Sequence, residues 1–170
     1  MTNVSAGFRW AGLDETFSTG LSTVGPSALG LVGVTQDVSN QLWGFQMGID
    51  GNYEYDDVWG IDYFANIGVF GNKIDTYNGT VFFNGDPTIA AGASSTETAL
   101  LGELGLGVTH RIDTAVWVRA GYRVMWIDGV ALAPDQLSRT SNWAVAPATT
   151  SVDTGTLLVH GADLSIIVAY

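Results

Sequence analysis

The chain has 170 residues, enough for one domain with a sizeable core, and sets 6 basic against 17 acidic side chains for a formal charge of -11. Six scattered cations cannot neutralise a run of phosphates, which excludes nucleic acid as a partner, and the absence of cysteine excludes thiolate metal sites and disulfides. With 46% hydrophobic residues, disorder is a poor reading, but 22 glycines, 14% charge and no solid apolar run make an unusual apolar chain.

Residues 1–10 lack a basic start followed by an apolar stretch, so they do not read as a secretory signal. Nowhere do 18 apolar residues follow one another, which removes a transmembrane helix. Helical spacing is absent, and strict period-2 alternation organises the chain instead. The first predicted strand, about 3–13, alternates Ala6, Phe8 and Trp10 with Ser5, Gly7, Arg9 and Ala11. A polar connection over 14–31 follows. The second, about 32–54, sets Trp43, Phe45, Met47 and Ile49 against Gly44, Gln46, Gly48 and Asp50. After a tight turn at Tyr55-Asp56-Asp57, the third, about 57–72, sets Trp59, Ile61, Tyr63, Ala65, Ile67 and Val69 against Gly60, Asp62, Phe64, Asn66 and Gly68.

A second long connection, 73–96, holds Thr80-Val81-Phe82-Phe83-Asn84, which reads either as a hidden strand or as a loop hairpin. The fourth strand, about 97–110, places Leu100, Gly102, Leu104, Leu106 and Val108 on one face, and His110 to Asp113 reads as a tight turn. The fifth, about 114–128, carries Val116, Val118, Ala120, Tyr122, Val124 and Trp126 opposite Trp117, Arg119, Gly121, Arg123 and Met125. A third long connection, 129–154, leads to the last strand, about 155–170, with Leu158, Ala162, Leu164, Ile166, Val168 and Tyr170 together.

The expected fold is therefore all-β, an antiparallel up-and-down transmembrane β-barrel. Its long connections gather at one end and its tight turns at the other, as in outer-membrane barrels. A soluble sandwich or lectin-like fold shares the alternation. Glycine on the poorer face suits a wall that curves inward. Eleven of the aromatics fall in the outward register, and Trp10, Trp43, Tyr53, Tyr55, Trp59, Tyr122, Trp126 and Tyr170 form the expected interfacial girdle.

Arg9, Asp50, Asp62, Glu103, Arg119, Arg123 and Asp163 face inward by register, as a charged constriction or as a salt-bridged plug. Asp128, Gly129, Pro134 and Asp135 mark a strand leaving the sheet and folding over, either into the barrel mouth or onto its neighbours. His110 and His160 have no converging partners for metal or acid–base work, so His110 reads as a solvated turn residue. Asp75, Asp86, Asp135 and Asp153 lack calcium-loop spacing, and no nucleophile elbow or phosphate-cradling loop is present; no catalytic, metal or cofactor assignment follows.

Asn40 to Gly48, Ile67 to Asn72 and Ala120 to Leu137 resemble the β-barrel porin family of planctomycete outer membranes, most specifically over Gly121-Tyr122-Arg123-Val124 and Trp126 to Pro134. His160-Gly161-Ala162 is similar to the start of that family's last strand. The resemblance implies an outer-membrane barrel with no catalytic residues to carry over. The family's signal peptide and N-terminal portion are lacking here, so the expectation is the C-terminal part of a larger barrel. Six strands are fewer than the roughly eight whose interior just holds side chains. Further strands in 14–31 or 73–96, or association of copies, are the other routes to closure. The functional expectation is a passive porin-like channel or structural envelope protein. Its partners would be outer-membrane lipid, small solutes or ions, and the barrel-assembly machinery through the last strand. Alternatives are an adhesion barrel using long acidic loops and a soluble all-β binding module.

Overall fold

The structure, a computed structural model, describes residues 1–22, 31–82, 89–137 and 152–169. Six strands follow in chain order: β1 (Thr2–Ser22), β2 (Leu31–Glu54), β3 (Trp59–Phe82), β4 (Ile89–Asp113), β5 (Val116–Val130) and β6 (Gly155–Val168), with one short helix, α1 (Ala133–Leu137), between β5 and β6. All six lie in one antiparallel sheet in the order β1-β2-β3-β4-β5-β6, so the up-and-down meander read from alternation is the observed topology. Among the described residues, β1 pairs only with β2 and β6 only with β5.

The strands run much further than periodicity in the apolar segments indicates. Residues 14–22 belong to β1, 73–82 to β3 and 89–96 to β4, where long loops were expected. Thr80 to Phe82 is the end of β3 rather than a separate strand, and Phe83 and Asn84 lie outside the described residues, as does Asp86. In the third expected loop, β5 continues to Val130 and α1 follows. His110 to Asp113 is strand as well, the turn being Thr114-Ala115.

These extensions escape a reading by apolar runs because the sheet inverts its polarity along its length. In the half near the tight turns, the outer face is apolar and the inner face carries glycine and charge. In the other half, the outer face holds Thr16, Ser18, Asp37, Ser39, Lys73 and Asp75, while the inner face buries Val34, Val38, Leu42, Phe70, Ile74, Ala99 and Leu101. A Ser/Thr/Asp-rich outer face has the composition of a loop but keeps the period of a strand.

On the outer face, five segments carry the apolar belt: Trp43 to Tyr53, Trp59 to Val69, Leu100 to His110, Val116 to Trp126 and Leu158 to Val168. Each is eleven residues long by its numbering (53 − 43 + 1, and likewise for the rest). The belt crosses the ladder obliquely. Trp10 pairs with Trp43 at its upper limit, whereas the row of Trp126 leads back through Gly102, Ile67 and Met47 to Ala6, four residues lower on β1 (10 − 6). A level belt on inclined strands must drift in this way, which is the stagger a barrel wall requires.

The sheet curls toward its inner face far enough for Arg9 on β1 to reach Glu103 on β4. Inner-face glycines make that curl possible. A Cβ at Gly105 would sit 2.1 Å from the Phe64 ring, and one at Gly107 would sit 2.4 Å from the Arg119 guanidinium. Gly105→Ala is expected to lower the stability of the folded protein by about 1–3 kcal/mol through forced displacement of Phe64. Gly20→Ala, on the outer face with nothing within 4 Å, is expected to shift it by less than about 0.5 kcal/mol. Urea unfolding in detergent, followed by tryptophan fluorescence, measures both; equal midpoints would remove the curvature argument.

Candidate functional site on the inner face

Two constellations occupy the inner face: a tier of paired charges, and a chain segment folded in above it. Period-2 alternation explains why all seven expected charges face inward, since Arg9, Asp50, Asp62, Glu103, Arg119, Arg123 and Asp163 all sit in the inner register. Curvature then selects the pairs. Arg9 makes a two-pronged contact with Glu103, Nη1 to Oε2 at 2.9 Å and Nη2 to Oε1 at 3.1 Å, and Nη1 also donates to Gln46 Oε1 at 3.3 Å. Asn66 Nδ2 donates to the same Glu103 Oε2 at 3.3 Å, so a β1–β2–β3–β4 network closes around one carboxylate.

Arg119 forms the second node. Its Nε and Nη2 hold the Asp62 carboxylate on β3, and its Nη1 donates to Asp163 Oδ2 on β6. The forked guanidinium matches a carboxylate on two parallel bonds, which a lysine could not do. Gly107 and Gly121 leave the space: a Cβ at Gly121 would lie 2.6 Å from Asp163 and 2.8 Å from Arg119. Arg123 is held more loosely, with Nε 3.8 Å from Asp163 Oδ1 and its guanidinium 5.5 Å from the Phe64 ring centroid. Asp50 is apart from both nodes and accepts from Asn3 Nδ2 at 3.1 Å.

Above this tier, Gly129, with a φ of +80°, makes a bulge one residue before the end of β5 at Val130. A side chain there would be strained and its Cβ would lie 2.4 Å from the Thr98 carbonyl oxygen. The segment 129–136 then crosses the inner face. Asn40 on β2 clasps Ala131 as another strand would: its Nδ2 donates to the Ala131 carbonyl at 2.8 Å and its Oδ1 accepts the Ala131 N–H at 2.8 Å. Asn72 Nδ2 donates both to Asn40 Oδ1 and to the Gly129 carbonyl. Farther on, Ala133 N–H donates to Glu15 Oε2 on β1, and Gln136 exchanges two hydrogen bonds with the Asp153 backbone. Val130, Ala131 and Ala133 are fully buried against Leu42, Phe70, Leu101, Val38 and Ile74.

The Asp128-to-Asp135 motif thus leaves the sheet edge and packs over the inner face. Asp128 itself stays on β5 and accepts from Thr156 Oγ1. Sequence reasoning missed Asn40, Asn72, Glu15 and Gln136. The signal was present as the inner-face series Val34, Gln36, Val38, Asn40, Leu42, alternating through a stretch whose other face is polar.

The aromatics divide. Trp10, Trp43 and Trp126 mark the upper limit of the apolar belt and Tyr53 and Trp59 its lower limit, with Tyr55 in the turn just beyond. Tyr122 lies within the belt instead, its hydroxyl 2.6 Å from His160 Nδ1. His110 is a strand residue whose ring lies against Trp59 at 4.2 Å between centroids, tilted by 38°, not a turn histidine. Tyr170 lies outside the described residues. Among those residues, no group of three or more His, Asp or Glu could hold a metal ion.

The class this architecture defines is all-β: one up-and-down antiparallel sheet, curled but with β1 and β6 unpaired to each other among the described residues, its inner face polar in one half and packed in the other. No family model matches the chain, and no curated protein matches it.

Proposed function

We propose that the chain is an outer-membrane β-barrel protein acting as a passive, porin-like channel for small solutes or ions. The observation that carries this reading is the outer apolar belt, eleven residues in every complete strand segment. Ten steps of about 3.4 Å inclined by about 40° rise about 26 Å, the height of the apolar band of such barrels. A water-soluble sheet has no reason to hold its outward apolar stretch to one length, drifting with the strands, while charges line the other side. Trp59, Ile67, Leu104 and Leu164 then meet lipid, the inner-face charges line the lumen, and β6 is the strand presented to the barrel-assembly machinery.

The segment clasped by Asn40 and Asn72 favours a second reading, a structural envelope protein whose interior is closed at one end. Conductance in planar bilayers separates the two. The channel reading expects steps from the unmodified protein and larger steps after deletion of 129–137. Steps seen only after the deletion would assign the closed barrel. Heat-modifiable migration in detergent gels checks the membrane reading itself, and a protein that stays folded and soluble without detergent would overturn it.

A further inference from the structure

The geometry points to Arg123 as the anchor of a lumenal subsite for a small monocarboxylate with an aromatic or branched apolar body. The inference rests on the channel reading and names the solute class that the inner face holds. Three expected arginines face that side, and two are committed. Arg9 forks onto Glu103, and Arg119 forks onto Asp62 while also holding Asp163. Arg123 differs. Its side chain is 63% exposed against 17% for Arg119, and among the described residues it donates no hydrogen bond. Its nearest approach to a carboxylate is Nε to Asp163 Oδ1 at 3.8 Å, beyond hydrogen-bonding reach, which leaves both Nη groups without an acceptor.

Register builds the surroundings of that open fork. Arg123 stands opposite Gly105 on one side and Gly161 on the other. Across Gly105 lies the Phe64 ring, its centroid 5.5 Å from the guanidinium carbon, whereas a Cβ at Gly161 would meet nothing within 4 Å. One neighbour therefore supplies an aromatic wall, and the other leaves room for a ligand. The space is a recess of about 660 Å³ whose lining includes Phe64, Arg123, Met125, Val159 and Gly161. Met125 and Val159 pair across the β5–β6 ladder in the same inner register and give the recess an apolar floor.

These features select the ligand. The fork takes a carboxylate on two parallel bonds, and Phe64, Met125 and Val159 take an apolar body. Glu103 and Asp163 also border the recess, and Asp163 Oδ1 is buried with no hydrogen-bond partner among the described residues. A dianion such as phosphate is therefore repelled, with no further uncommitted guanidinium in the tier to hold it.

The test titrates para-fluorobenzoate into the detergent-folded protein at constant ionic strength and follows its fluorine NMR line width. The neutral para-fluorobenzyl alcohol controls for uptake by micelles. Arg123→Gln is expected to weaken binding of the carboxylate about tenfold or more and to leave the alcohol unchanged. Arg123→Lys should recover only part, because an ammonium keeps the charge without the fork. Phe64→Leu should weaken para-fluorobenzoate about threefold and leave the competing strength of acetate, which has no ring, as it was. Equal binding by Arg123→Gln would overturn the subsite, and phosphate competing as strongly as acetate would overturn its solute class. Heat-modifiable migration and conductance steps, read on the same preparation, report the barrel and channel readings separately. An unmodified protein that keeps both and binds no para-fluorobenzoate overturns the subsite alone.

Discussion

Replacing Asn40 by leucine is expected to release the 129–136 segment from the inner face and to lower the stability of the folded protein by about 3 kcal/mol. Leucine keeps the branching and heavy-atom count of asparagine, so the loss of hydrogen bonding is the main change, with some crowding from its larger methyl groups at this buried position. The substitution leaves the Ala131 N–H and carbonyl buried with no partner, and each orphaned group costs about 1–3 kcal/mol. Asn72 keeps its bond to the Gly129 carbonyl, which holds the loss below complete unfolding. Two measurements check it: the urea midpoint in detergent, and the rate at which an added protease cuts after Leu132. Both should change together, because the clasp is what keeps Leu132 inaccessible. A lowered midpoint with unchanged cleavage would mean that Val130 and Ala133 packing holds the segment by itself.

Arg119→Met is the second large effect. It leaves Asp62 and Asp163 facing the same inner space with their shared cation gone. Removing one partner of a buried ion pair costs about 3–5 kcal/mol. Here the carboxylates are about one-third exposed, so a loss of about 2–3 kcal/mol is expected. Adding Asp62→Asn and Asp163→Asn should recover most of it, since the uncompensated charges disappear together. In planar bilayers, the single variant should also move the reversal potential toward cation selectivity, because two unpaired carboxylates then line the lumen. A reversal potential unchanged by Arg119→Met would place this cluster away from any conducting path. Stability unchanged in all variants would mean that the pairing is incidental to folding.

These two sites differ in how far the sequence reveals them. The inward placement of Arg119, Asp62 and Asp163 was readable, because residues an even number apart on a strand share a face whatever the partner strand is. That Arg119 meets Asp62 two strands away, while Arg9 reaches Glu103 across three strand steps, was not. Those contacts depend on the curl of the sheet, and the curl depends on glycines such as Gly105 and Gly107 whose significance appears only when Phe64 and Arg119 occupy the space above them. The Asn40 clasp was further from view. Asn40 sits in a stretch with an outer face of Ser39, Asp37 and Thr35, and its partner Ala131 is ninety-one residues away.

The amino-acid sequence alone determined the all-β class, six of the strands in meander order, the face of every residue in the apolar segments, and the placing of Arg9, Asp62, Glu103, Arg119 and Asp163 on the inner side. All of these follow from a period of two, which is a local property of an extended chain. Only the tertiary structure decided how far the strands continue, which charges pair, and that 129–136 turns inward. Each of those depends on register and curvature, which bring together residues remote along the chain. A polar outer face over an apolar inner one reads as a loop until the segment that covers the inner face is in place.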